Sequence, residues 1–190
     1  MRKFAVMGVM VLVFGMLGGV AWGQSLVPLK VGNWWNLEQE GMPGSGETLR
    51  IIGFSNLFGV WLYTMEMEER EPWDTDFEFG FFLSTADALY GYEGGLPFVG
   101  FKTGPVGTTW SYTEGDGSVV NCRISAIETV TVPAGTFTGC YHYVKEAYDG
   151  GTLQYSWEEV IHPGTGPVKW VVDTHTASPV TYVLTDYNVK

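Results

Sequence analysis

Side chains alternate two by two along most of this chain, and that rhythm constrains the fold more than any other feature. The clearest run is Trp61 to Arg70, where Trp61, Tyr63, Met65 and Met67 fall on one side and Thr64, Glu66, Glu68 and Arg70 on the other. A period of two belongs to strands, whose successive side chains point to opposite faces. Ser118 to Val132 repeats the device, setting Val120, Cys122, Ile124, Ala126, Val130 and Val132 against Asn121, Arg123, Ser125, Thr129 and Thr131. One dry and one wet face per strand is the signature of antiparallel sheets. Helical periodicity is almost absent. The expected fold is therefore all-β and mainly antiparallel, with little helix.

Glycine and proline punctuate these runs where turns need them. Turn sites fall at Pro43–Gly46, Gly94–Gly95, Gly115–Gly117, Asp149–Gly151 and Pro163–Pro167. Between them the pattern predicts eleven strands, near 33–39, 48–56, 59–70, 77–84, 97–102, 109–114, 118–132, 136–148, 153–161, 168–174 and 180–187. Pro133-Ala134-Gly135 forms a tight corner between the two longest. A short echo, Val31-Gly-x-x-Trp35 and Val106-Gly-x-x-Trp110, each after a proline, reads either as a trace of duplication or as a common way to enter a strand.

The first residues read as an export leader. Arg2 and Lys3 precede an uncharged apolar run from Phe4 to Val20, and Ala21-Trp22-Gly23 puts small residues where an export peptidase reads. The mature chain then begins at Gln24; an uncleaved anchor is the rival reading. The expected organisation is a signal peptide over 1–23 and one antiparallel domain over 24–190, long enough to bury a substantial core. No cysteine follows the apolar run, which argues against a lipid-modified terminus, and no second run of membrane-spanning length exists, so no stable membrane insertion is expected once the leader is removed.

The whole chain carries a formal charge of −11; without Arg2 and Lys3 the remaining 8 basic and 21 acidic residues give −13. Such a field repels nucleic acid and anionic headgroups, and no Lys/Arg cluster offsets it. The location implied is the periplasm or the outside of the cell. Cys122 and Cys140 are the only cysteines. Export favours a bridge between them. A tight corner at 133–135 instead sets Cys122 near Glu146 and Cys140 near Glu128, roughly 20 Å apart along the ladder at ~3.3 Å per residue, where a bridge needs Cα atoms within ~7 Å. A disulfide thus requires a wide corner or a bulged register, and both states stay open.

Candidate chemistry is sparse. His142, His162 and His175 lie on three successive strands or their ends, with Asp173 two residues before the last, but their spacing is not that of a zinc motif. Asp74, Asp76 and Glu78 alternate as on a wet strand face and lack the turn glycine and distant bidentate acid of a calcium loop. Glu158 and Glu159 point to opposite faces, while Glu66 and Glu68 share a wet one, so neither pair makes a glycosidase dyad. No nucleophile elbow, phosphate loop or dinucleotide fingerprint is present. Neither a catalytic residue, a metal nor a cofactor is expected.

Aromatic residues remain, at 15% of the chain. On one face of a curved sheet such rings fill a core, line an apolar groove or stack on sugars.

Several stretches together carry a family likeness: Pro28–Trp35, Gly107–Trp110, Glu128–Cys140 with its Thr-Val-Pro-Ala-Gly corner, Pro163–Lys169 and Leu184–Asn188. In these the chain resembles the TapB-like group of exported bacterial proteins of unknown function, allied in fold to the LolA and LolB half-barrel carriers. The resemblance implies a strongly curved antiparallel half barrel with an apolar concave face, where the better-known relatives hold acyl chains. It brings no catalytic residues, and this chain differs in having no strong helical segment to plug the mouth.

The leading expectation is an exported, non-enzymatic β protein holding a small apolar ligand or an envelope protein against a concave face lined by Trp61, Tyr63, Met65, Met67, Ile124 and Val130. A carbohydrate-binding β-sandwich using Trp35 or Trp110 is the alternative, and a metal-dependent hydrolase centred on His142 comes third.

Overall fold

The computed structural model describes residues 25–57, 60–71, 74–93, 96–173 and 179–190. They form twelve strands and, among the described residues, no helix. The strands are β1 (Trp34–Gln39), β2 (Gly46–Leu57), β3 (Val60–Glu71), β4 (Asp74–Ser84), β5 (Ala88–Glu93), β6 (Leu96–Lys102), β7 (Thr109–Thr113), β8 (Val119–Val132), β9 (Gly135–Asp149), β10 (Thr152–His162), β11 (Gly166–Asp173) and β12 (Val180–Asn188). Eleven match predicted strands with ends within three residues. The twelfth, β5, is missing from the prediction because it is short and interrupted by Gly91. That glycine makes room for a ring: a Cβ there would stand 2.3 Å from the Phe98 ring of the neighbouring strand.

All twelve strands belong to one sheet in the order β6-β5-β4-β3-β2-β1-β12-β11-β10-β9-β8-β7, every neighbour antiparallel. Each strand pairs with its sequence neighbours except β6 and β7, which are the two edges, and β1 pairs with β12. The sheet curls until its two edges, β6 and β7, face each other, so the curvature goes beyond a half barrel to near closure. Side chains join this seam: Trp110 Nε1 donates to the Val99 carbonyl at 2.8 Å, Tyr143 Oη donates to the Lys102 carbonyl at 3.1 Å, and the Phe98 and Tyr112 rings stack at 4.7 Å. A two-sheet sandwich is thereby excluded as the architecture.

The tallest hairpin turns at Pro133-Ala134, with Val132 opposite Gly135. A bulge between Glu128 and Val130 sets Glu128 opposite Cys140, and a second between Ile124 and Ala126 returns the register to that of the corner, so Cys122 lies opposite Lys145 rather than Glu146. The bulges also break the alternation. Val120, Cys122, Ile124 and Val132 are buried, whereas Ala126 pairs with His142, which carries acidic partners.

One end of the barrel is closed by the segment before β1 instead of by a helix. Leu26, Val27 and Leu29 are buried there. The Leu26 amide donates to the Thr85 carbonyl at 3.0 Å, the Val27 amide to Ser84 Oγ at 3.1 Å, and the Gly164 amide to the Ser25 carbonyl at 3.1 Å, so the plug is tied to opposite walls. Burying each such side chain is worth about 1.5–3 kcal/mol. Beside it sits Trp35, fully buried, its Nε1 donating to the Thr165 carbonyl at 2.5 Å. Gly166 is what lets the ring in, because it has φ of 106° and a Cβ on it would stand 2.8 Å from Trp35 Nε1.

The other end of the lumen is polar. Glu47 and Glu69 are cross-strand partners on β2 and β3, Glu78 follows on β4, and Glu159 projects from β10 on the far wall. Lys145, 3% exposed, lies 2.6 Å from Glu159 and 3.7 Å over the Phe101 ring. Burial first, then the charges of Glu69, Glu159 and Glu78, push the Glu47 carboxyl up to about 7. A field from Glu159 reaching Glu47 across the sheet is what an inward-facing acidic rim produces.

Two outcomes test this description. Gly166→Ala combines backbone strain of about 1–3 kcal/mol with a clash on Trp35, and a thermal melt should fall by roughly 4–10 °C. Glu47 ionises higher folded than unfolded, so stability is lost as pH rises from about 4.5 to about 7 and the full penalty persists above. Glu47→Gln should therefore melt with the wild type near pH 4.5 and a few degrees above it near pH 8; equal melting at both would contradict the buried rim.

Candidate functional site

An apolar cavity of about 150 Å³ lies inside the barrel, between the plugged end and the acidic rim. Its walls include Leu49 from β2, Met65 and Met67 from β3, Phe82 from β4, Phe101 from β6 and Trp170 from β11, with Glu159 the charged residue on its surface. The sheet puts these together by register: Leu49 faces Met67, and Ile51 faces Met65, so the dry faces of β2 and β3 turn inward in step. Trp170 stands opposite both Glu159 and Tyr182, and its ring meets the Tyr182 ring edge-on at 6.2 Å. Trp170 Nε1 is buried and, among the described residues, has no hydrogen-bond partner.

The six residues expected to share a concave face do not share one surface. Met65 and Met67 line the cavity. Tyr63 is half-buried against the core, and Ile124 is fully buried within it. Val130 packs against the core from the long hairpin and also borders an outer groove with Glu128, His142 and Lys169. Trp61 is the clear correction: it is 61% exposed. Its strand outruns the wall, since β3 meets β4 only from Tyr63 onward, and Trp61 stands on the β2–β3 ribbon beyond the barrel. Leu49 and Phe82 sit on strands the alternation had found, but with no lumen to converge on, that rhythm alone did not single them out. Phe101 comes from the edge strand β6, and Glu159 and Trp170 from the other meander, so they meet the β2–β4 residues through the curvature and closure of the sheet.

The rings offered as sugar platforms are structural. Trp35 has no exposed surface, and Trp110 is half-buried with its N–H spent on the seam. The cysteines are separate buried thiols, so the disulfide weighed from the compartment is absent. Cys122 stands six residues along β8 from Glu128, the partner of Cys140, which confirms the long separation. Burial pushes the Cys122 thiol up to about 11 and raises Cys140 as well, which keeps both in the unreactive thiol form.

The histidines do not meet. His142 holds Glu128 at Nδ1 and Glu158 at Nε2, each at 3.0 Å, on the groove that includes Lys169. His162 contacts Thr165 Oγ1 at 2.8 Å in its turn, and burial pushes its pKa down. His175 and the Asp173 side chain lie outside what is described. Among the described residues no three His, Cys, Asp or Glu side chains form a group that could hold a metal. Glu66 and Glu68 both engage Arg50 on the outer face, Glu66 at 3.2 Å, and Asp76 and Glu78 are exposed at the start of β4.

No family model matches the chain, and no curated protein does. Membership in the TapB-like or LolA and LolB groups is therefore not shown. Among solved structures the chain is similar to a Bacteroides fragilis protein described, by inference, as exported and of YmcC-like fold: 11% identity, 87% of this chain and 99% of that chain covered, TM-score 0.59. A Parabacteroides distasonis protein described, likewise by inference, as a lipoprotein matches at 14% identity over 87% of this chain and 99% of that one, with a TM-score of 0.46. At such identity the first likeness speaks for architecture alone, and the architecture it speaks for is the YmcC-like fold.

Proposed function

We propose that this is an exported, non-enzymatic binding protein that takes an apolar group about the size of a benzene ring into its barrel. The cavity between Leu49, Met65, Met67, Phe82, Phe101 and Trp170 carries the reading. Its volume of about 150 Å³ is the size at which an apolar protein cavity stays dry and admits benzene, and falls below the ~300–1,000 Å³ of sites enclosing a whole drug-sized molecule. Carriage of an entire acyl chain does not suit this space; a ring or short branched group at the end of a larger molecule does. Export is supported by the leader pattern over residues 1–23 and by the inferred description of the Bacteroides fragilis protein as exported.

The test uses methyl-labelled methionine and benzene or indole as probe. The Met65 and Met67 methyl resonances should shift saturably, with Met42 unmoved as an exposed reference, and Met67→Trp should fill the space and abolish the shift. No saturable shift up to the solubility limit, or a shift indifferent to Met67→Trp, would remove the proposal.

A further inference from the structure

Between Arg50 and Glu66 the chain carries no Asp, Glu, Lys or Arg, although the protein as a whole has a formal charge of −11. That uncharged stretch includes the described residues of β2 and β3 that run past the barrel wall. β2 pairs with β1 only as far as Arg50, opposite Trp34, and β3 pairs with β4 only from Tyr63 onward. Between those limits, among the described residues, the two strands pair with each other through Phe54–Tyr63, Ser55–Leu62 and Asn56–Trp61. They make a two-stranded ribbon that runs past the ends of β1 and β4, with Leu62 buried on its other face. Its aromatic face is open: Phe54 is 60% exposed and Trp61 61%, with ring centroids 5.4 Å apart, and Phe54 lies 6.4 Å from Tyr63.

The ribbon leaves the barrel at the plugged end. Tyr63 faces Phe82 near the end of β4, and two residues on from Phe82, Ser84 receives the Val27 amide while Thr85 receives that of Leu26. Ser25 lies at the same end, against Gly164. The apolar run Phe4–Val20 precedes Ser25 in the chain. The end at which Ser25 lies is thus also the end that displays bare rings.

From these placements we infer that the β2–β3 ribbon is a membrane-docking element, its Phe54 and Trp61 rings entering the interface of a bilayer with electrically neutral headgroups. Aromatic rings favour the headgroup level of a membrane. The lack of charge on the ribbon removes the cost of bringing acids to lipid, while the acidic barrel behind it disfavours anionic headgroups. Docking is shallow, because a ribbon with unpaired edges cannot enter hydrocarbon without stranding its backbone polar groups. This reading is independent of the cavity and beyond it.

The experiment is vesicle flotation with protein purified after processing by the export machinery of its host. The protein should float with phosphatidylcholine vesicles, and less with vesicles enriched in phosphatidylglycerol at low salt, the difference shrinking at high salt. Phe54→Ser and Trp61→Ser should each weaken binding about tenfold or more, the change that about 1.4 kcal/mol represents. Phe77→Ser with Phe79→Ser, which removes exposed rings at 54% and 57% from β4 away from the ribbon, should leave binding unchanged. Brominated lipid should quench the wild type more than Trp61→Phe. Failure to float, binding indifferent to the ribbon substitutions, or a concentration-dependent dimer that Trp61→Ser dissolves without any vesicle binding would each overturn the inference.

Discussion

The barrel depends on the ladder between its first and last strands. β1 and β12 pair from Trp34–Asn188 to Gln39–Tyr182, and without that contact the chain is two separate meanders, β1–β6 and β7–β12. Two local features hold it. Asn36 on β1 bonds across to Thr185 of β12 at 2.8 Å, accepts from Thr48 at 3.1 Å and from Arg70 at 2.6 Å, making a polar strip on the outer face. Trp35, the next residue back, goes the other way into the core and onto Thr165. One dipeptide thus fastens the ladder from both sides. Because the partners are about 150 residues apart in sequence, the loop-closure entropy is large and falls late in folding, after the local hairpins exist.

Closure also decides what the lumen contains. A curved sheet has a crowded inner face, and in this chain that face changes character along the barrel axis. Near the plug it is Leu26, Val27, Trp35, Leu37 and Leu184, all nearly or fully buried. Toward the opposite rim the same inward positions become Glu47, Glu69 and Glu159, with Lys145 between Glu159 and the Phe101 ring. Rings that this end does not take inside stand on the outer wall, where Phe77 and Phe79 face Glu68 and Glu66 across the ladder. The cavity lies where the two regimes meet, walled by apolar side chains and touched by a single carboxylate.

Much of the architecture was legible in the sequence because alternation is a local signal. It fixed the class, nearly all the strands and the corner at Pro133-Ala134, and it put Met65 indoors and Glu66 on the outer face. It was silent on what depends on closure. A period of two marks the side a residue takes relative to its own strand. It does not say that β3 will outrun β4, which is why Trp61 reads as lining and stands outside. Nor can it place a bulge: the two in the long hairpin shift the register from Glu128 to Ala126 and restore it by Ile124 and Cys122. β5 escaped because a glycine that admits Phe98 looks, in sequence, like a turn. The cavity was half visible, in Met65 and Met67, and half not, since Phe101, Glu159 and Trp170 arrive from strands that share no local pattern with them.

The seam between β6 and β7 gives the molecule a property that a fully laddered cylinder lacks. Trp110, Tyr143 and the Phe98–Tyr112 stack act as three studs along a rolled sheet whose facing edges share no rungs. Phe101, a wall of the cavity, sits on one of those edges, against Tyr143 at 5.1 Å. Undoing the studs would leave every backbone pairing in the sheet intact, so the closure of the roll is held by side chains and not by the ladder.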